Sequence, residues 1–289
     1  MCGVLGIVSW GNHPRDPSRL SVASLKNRGP DNIGYHGDAQ VGLYHTRLAI
    51  IDRREASNQP LISPCGRYAL VCNGEIYNHD AVRRRYPYEY RTTSDCEVIL
   101  ACYAADGIQG FRALKGMFAF GLYDRARQRL IVCRDAVGKK PLFTYQDAGI
   151  FLFASSVTAI TDNVPGALGL DPEAVASYLR DGSVRPTRAL YRGVAPVLPG
   201  TVLELDVATG RGTRHALVPE TTGPRAETAE AIAHEAERLL DDSIAQRVRG
   251  IEHPVLLFSG GIDSTVLAKK ILTAAGGGSS ASRCGRSCR

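Results

Sequence analysis

Along the first 160 residues the apolar positions fall in short runs cut by Gly, Asn and Asp: Val4 to Ser9, Val41 to Ile51, Tyr68 to Cys72, Met117 to Tyr123, Leu130 to Arg134 and Ile150 to Ala154. Such runs predict strands, and their turn-rich boundaries point to mostly antiparallel pairing. Two segments carry helical texture instead. One is Leu20 to Lys26. The other, Asp95 to Asp106, opens with Thr93, Ser94 and Asp95 as capping candidates and has Glu97 in its first turn. Asp171-Pro172 predicts a further helix through Leu179, since Asp caps free N–H groups and Pro fits the first turn.

The polar stretch Ala208 to Arg225 has no apolar period and reads as a connecting hairpin or linker. Beyond it the texture changes. Glu227 to Arg247 places Ile232, Ala236, Leu239, Leu240 and Ile244 at helical spacing. Val255 to Phe258 is wholly apolar, the pattern of a parallel strand buried on both faces, and is followed by Ser259-Gly260-Gly261 and a helical segment from Ile262 to Ala275. Strand, glycine turn and helix form the start of a nucleotide-binding unit, and two or three more such units are needed to cover the strand. The last 14 residues, from Gly276, have neither period nor core residues and are expected to be a disordered tail.

Composition narrows the class. The 289 residues are 44% hydrophobic and 22% charged, which excludes disorder, collagen and coiled coil. No run approaches the roughly 18 apolar residues of a membrane span, and no basic region precedes an apolar core at the N-terminus, so a soluble cytoplasmic protein is expected. Half of the net charge of +6 comes from Arg283, Arg286 and Arg289 in the tail, and no basic stripe with interleaved aromatics argues for nucleic acid. The eight cysteines are scattered, without C-x-x-C or zinc spacing, so reduced thiols and no metal are expected.

Cys2 stands apart. The small side chain behind Met1 permits removal of that methionine, which would leave a free α-amine beside the thiol. An α-amine titrates near about 7.7 to 8.0, so one residue could supply both nucleophile and base.

RGPD (Arg28 to Asp31), HTRLAIID (His45 to Asp52), NGEIYNH (Asn73 to His79), SDCEVIL (Ser94 to Leu100), GMFAF (Gly116 to Phe120) and RDAVGKKPLF (Arg134 to Phe143) occur in that order. Together they resemble the glutaminase domain of glutamine-hydrolysing asparagine synthetases, members of the N-terminal-nucleophile amidotransferases, over residues 2 to about 200. The resemblance implies an α/β fold, an αββα sandwich with antiparallel sheets, followed by the first β/α unit of a Rossmann-like ATP pyrophosphatase domain. It also implies the site residues. Cys2 matches the nucleophile, and the Asn73 side chain and Gly74 N–H match the oxyanion hole. Arg47 matches the carboxylate-binding arginine, Glu75 and Asp95 match the positions that bind the ammonium, and Ile51 joins the glutamine-binding set. Glutamine is a zwitterion with a side-chain amide, so a cation, anions and oxyanion donors are what its site needs. Taken singly, each has a plainer reading: Asn73-Gly74 as a hairpin turn, Asp95 as a helix cap, Arg47 as a solvated strand residue.

Ser259 to Ser264 resembles the pyrophosphate-binding loop of ATP pyrophosphatases, with Leu257, Ser259, Gly260, Gly261, Asp263 and Ser264 as the ATP-binding candidates. Ser156 and Thr158 stand where that family usually has Glu and often Lys. Four segments are expected: the glutaminase domain (2–185), connecting strands and linker (186–225), a truncated synthetase domain (226–275) and the tail (276–289). The expected activity is ATP-dependent conversion of aspartate to asparagine with ammonia from glutamine. ATP and Mg²⁺ would serve the complete reaction, with no cofactor for glutamine hydrolysis, and a homodimer is the expected assembly. A free-standing glutaminase serving a separate partner and an inactive fragment are the alternatives.

Overall fold

The computed structural model describes residues 1–11, 16–218, 228–249, 251 and 254–274. The chain divides into two units, Met1–Glu220 and Thr221–Arg289. In the first, the chain runs through β1 (Gly3–Ser9), β2 (Asn32–Gly37), β3 (Val41–Arg47), β4 (Leu61–Ile62), β5 (Tyr68–Ile76), α1 (His79–Arg85), α2 (Val98–Asp106), β6 (Gly116–Asp124), β7 (Arg129–Arg134) and β8 (Phe143–Gln146). It continues through β9 (Ile150–Ala154), α3 (Val157–Thr161), α4 (Pro172–Asp181), β10 (Val194–Pro196), β11 (Thr201–Asp206) and β12 (Gly212–Ala216). Two six-stranded sheets result, ordered β10-β8-β9-β1-β3-β2 and β12-β11-β7-β6-β5-β4. Their strand pairs are antiparallel.

The central strands are covered on both faces, which is why they read as unbroken apolar runs. In β1, Val4 and Val8 join an inner core with Val71 of β5, Ala119 of β6 and Val132 of β7. Leu5 and Ile7 point the other way and pack with Ile160 of α3. The far face of the second sheet sets Leu70, Phe118 and Phe120 against Ile99 and Cys102 of α2. The layers are therefore helix, sheet, sheet, helix. Gly6 and Gly121 make room between the sheets for Phe153: an added Cβ would come within 2.0 Å and 2.2 Å of its ring.

Several expectations change. Leu20 to Lys26 is not a helix; only a three-residue 3-10 turn, Ala23–Leu25, forms there. Its backbone donors are drawn off by tertiary partners, the Leu20 N–H to the Tyr44 hydroxyl (3.2 Å) and the Ser21 N–H to Asn163 Oδ1 (2.8 Å). Asn73-Gly74 is not a hairpin turn either, because β5 runs through it with Asn73 opposite Ala119 and Gly74 opposite Phe118. The cap at 93–95 is Ser94, whose hydroxyl accepts from Cys96 N–H; a 3-10 turn at Asp95–Glu97 then leads into α2. Asp171 caps α4 as expected, accepting from the N–H groups of Glu173 and Ala174. The described part of the 208–225 stretch is a hairpin that adds β12 to β11.

In the second unit the described elements are α5 (Ala229–Val248) and α6 (Ile262–Ala274). Lys270 of α6 reaches Glu237 at 3.0 Å and Asp241 at 2.7 Å, one turn apart on α5. The strand expected at Val255–Phe258 is not formed, and Val255 and Leu257 are 90% and 92% exposed. A strand's N–H and C=O groups need a neighbouring strand, and none pairs with this segment among the described residues. On α5, Ile232 and Leu239 are exposed while Ile244 is buried. The tail at 276–289, with Cys284 and Cys288, lies outside the described residues.

The described cysteines are free thiols, four of them buried. Among the described residues no helix is long and apolar enough to cross a membrane, and no group of three or more His, Cys, Asp or Glu is placed to hold a metal ion.

Candidate active site

β1 and β3 are paired with Gly3 opposite Thr46, so the residue before β1 and the last residue of β3, Cys2 and Arg47, come together at one end of the first sheet. A cavity of about 210 Å³ opens there, and Cys2, Arg47, Ile51, Asn73, Gly74, Glu75 and Asp95 all line it. The structure thus brings together every glutamine-site residue expected from the sequence. The six ATP-loop candidates belong to the second unit.

The Cys2 sulfur accepts from the Leu48 N–H at 3.4 Å. Burial pushes its thiol above the ordinary cysteine value, and the Leu48 bond pulls it only part of the way back. The thiol therefore does not ionise by itself at neutral pH and needs a base. Arg28 Nε fixes the Cys2 carbonyl at 3.2 Å. Lys140, a nearly buried residue on the cavity wall, places its ammonium 3.6 Å from Met1 Sδ.

β5 supplies the Asn73–Gly74 side of the cavity. β4 covers its edge only as far as Leu70, and beyond that point the edge has no strand beside it. The Cys72 N–H donates outward to Gln59 Oε1 (2.6 Å) and the Ile76 N–H to Asp95 Oδ2 (2.7 Å). Along a strand such donors recur every second residue, so the Gly74 N–H points out of the same edge, between those two and into the cavity. An added Cβ at Gly74 would meet the Met117 carbonyl and Phe118 at 2.7 Å, so glycine is required by the close passage of β6. Asn73 is 1% exposed, and its Nδ2 is buried without a hydrogen-bond partner. A buried unpaired donor costs about 1–3 kcal/mol and is therefore uncommon unless a ligand satisfies it.

The charged groups sit around these donors. The Arg47 guanidinium is held by neutral acceptors: Asn58 Oδ1 (2.7 Å) and the carbonyls of Arg54 (3.1 Å), Ile51 (3.5 Å) and Asp52. No ion pair among the described residues uses Arg47, which leaves its charge for an incoming anion. Asp95 is 4% exposed; burial pushes its carboxyl upward, offset in part by the Ile76 N–H and the charge of His79. A cation bound beside it would draw it back down. Asp52, at a φ of 46°, accepts from Arg54 and from the N–H and hydroxyl of Thr93, both 2.8 Å, tying the Arg47 loop to the Asp95 segment.

Sequence reasoning missed Asn58 and Gln59, and left Asp52, His45 and Lys140 as unassigned motif positions. His45 is buried between the sheets, with Nε2 3.1 Å from the Cys72 carbonyl. A carbonyl only accepts, so Nε2 carries the proton. Burial lowers its pKa to about 4. An unfolded histidine takes up its proton near about 6.5, so stability falls as pH drops from there to about 4, by about 3 kcal/mol in all. His45→Gln should flatten that slope in denaturant titrations at pH 7 and 4.5. Equal acid losses in parent and variant would show another source.

In the second unit, Gly260 (φ 83°) turns the chain into α6. The hydroxyls of Ser264 and Thr265 both donate to the Gly261 carbonyl, at 3.0 and 2.9 Å, and Ser259 Oγ lies 3.2 Å from Ser264 Oγ. They are satisfied within the turn. Leu257 is 92% exposed, and no group of three or more His, Cys, Asp or Glu placed to hold a metal ion occurs among the described residues.

A sequence profile of the glutamine amidotransferase domain matches residues 1–215. The chain belongs to the glutamine amidotransferase domain family. Amidase chyE of Penicillium rubens is 33% identical across 89% of this chain and 38% of its own length. The glutamine-hydrolyzing asparagine synthetase B of Escherichia coli is 36% identical across 64% of this chain and 34% of its own. The chain thus spans little more than a third of these curated relatives. Among solved structures, the glutamine phosphoribosylpyrophosphate amidotransferase of Bacillus subtilis superposes with a TM-score of 0.55 at 18% identity, over 94% of this chain and 64% of that one. That likeness concerns the amidotransferase fold alone.

Proposed function

We propose that the first unit hydrolyses glutamine to glutamate and ammonia, with Cys2 as nucleophile once Met1 is removed. The observation that carries this reading is the unpaired Nδ2 of Asn73 beside the outward Gly74 N–H, in the cavity that also holds the Cys2 sulfur. Arg47 takes the substrate carboxylate, and Asp95 with Glu75 takes its ammonium. The Cys2 α-amine accepts the thiol proton as sulfur attacks the amide carbon, the two donors hold the oxyanion, and the amine returns the proton to the departing ammonia. Water then opens the thioester and releases glutamate.

The finer reading is that this ammonia serves ATP- and Mg²⁺-dependent formation of asparagine from aspartate, with the Ser259–Ser264 loop as part of the ATP site. The synthetase relative supports it. The exposed Val255 and Leu257 and the self-satisfied loop hydroxyls favour the second reading, a glutaminase that delivers ammonia to a separate partner.

Glutamate release without ATP tests the shared step, and AMP formation with aspartate separates the two readings. Since the base must be the free amine and burial keeps the thiol protonated, kcat/KM should rise with pH to a plateau, with a midpoint about 7.7 to 8.0. A flat profile from pH 6 to 9 would rule out the α-amine as base.

A further inference from the structure

We propose that Gln59 is a positioning residue for the oxyanion-binding edge: its side-chain amide stands in for the missing strand opposite Cys72 and holds the Asn73 and Gly74 donors in place for the Cys2 sulfur. This rests on reading Asn73 and Gly74 as those donors.

The argument starts from β4, which pairs with β5 only through Leu61 with Leu70 and Ile62 with Ala69. A strand edge without a partner is free to twist and bend. At Cys72, the next outward-facing residue, Gln59 makes both bonds that an opposing strand residue would make. Its Oε1 accepts from the Cys72 N–H at 2.6 Å and its Nε2 donates to the Cys72 carbonyl at 3.2 Å. His45, from the other sheet, donates to the same carbonyl. Four residues on, Asp95 takes the Ile76 N–H. The Gly74 N–H is therefore pinned on both sides and left open in the middle.

Gln59 is itself held. It is 7% exposed, and β2 runs so close that a Cβ on Gly34 would lie 1.9 Å from the Gln59 carbonyl oxygen. Its neighbour Asn58 bonds Arg47 at 2.7 Å. Two consecutive side chains thus set the group for the substrate carboxylate and the edge for the reacting amide, fixing the separation between them. Donor placement matters because a misplacement of about 1 Å can cost about 10² in rate.

The test uses the full chain and two variants. Gln59→Met keeps the length of the side chain and removes both bonds. Gln59→Glu keeps the shape and the acceptor for the Cys72 N–H, and serves if the first variant does not fold. Each is measured for glutamine kcat and KM, thermal midpoint, and affinity for the aldehyde analogue of glutamine. In that probe the Cys2 sulfur adds to the carbonyl carbon and the oxygen takes the oxyanion's place.

In either variant kcat should fall about 10- to 100-fold with KM within about 2-fold, and aldehyde affinity should weaken by the same factor. A purely structural role would lower the thermal midpoint without that split. Parent-like kcat or aldehyde affinity in a folded variant would overturn the proposal. If the parent releases no glutamate, the glutaminase reading fails. If the parent is active and Asn73→Ala is impaired while the Gln59 variants are not, only this inference fails.

Discussion

Replacing Cys2 by Ala should lower glutamine hydrolysis by at least about 10⁴-fold while glutamine still binds with its parent affinity. The separation follows from the cavity. Arg47 and Asp95 lie on β3 and in the 3-10 turn before α2, and neither is held by Cys2. Removing one sulfur deletes the attacking atom and leaves the groups for both ends of the zwitterion. Glutamine titration of the variant by calorimetry and glutamate release are the two measurements. Retained Met1 should be equally damaging, because it blocks the amine; mass spectrometry showing intact Met1 on active protein would sink the mechanism.

Asn73→Ala should reduce kcat about 10²- to 10³-fold with little change in KM, since in the proposed mechanism its Nδ2, buried and unpaired in the structure, bonds the amide oxygen most strongly as that atom gains charge. Asp95→Asn should do the reverse. It removes an ion pair to the ammonium that exists in ground and transition states alike, so KM for glutamine should rise. The same kinetic defect in both would show that binding and oxyanion roles are wrongly divided.

How much of this could be read from the sequence depends on burial. β1, β3, β5, β6, β7 and β9 are covered on both faces and announce themselves as apolar runs. β2, β8 and β12 lie at or near sheet edges, half-exposed and polar, and their alternation is too weak to see. Leu20 to Lys26 looked helical because local spacing says nothing of Tyr44 and Asn163, which take its donors from elsewhere in the chain. Val255–Phe258 shows the converse: composition favours a strand, but a strand needs neighbours. The residues that line the cavity were legible because they sit in motifs that resemble those of a known family. Asn58 and Gln59 were not, since an amide that bonds a backbone edge or an arginine has no spacing signature.

β4 is two residues long. An open strand edge is ordinarily a hazard, a template for unwanted pairing. In the mechanism proposed above, the one outward N–H left open on this edge is the one the reaction uses, so folding and turnover would compete for the same Gly74 N–H. Each ladder bond forgone costs about 0.5–1.5 kcal/mol of stability. An insertion that let β4 run on past Cys72 would recover that stability and silence the enzyme, making the brevity of one strand a condition of activity.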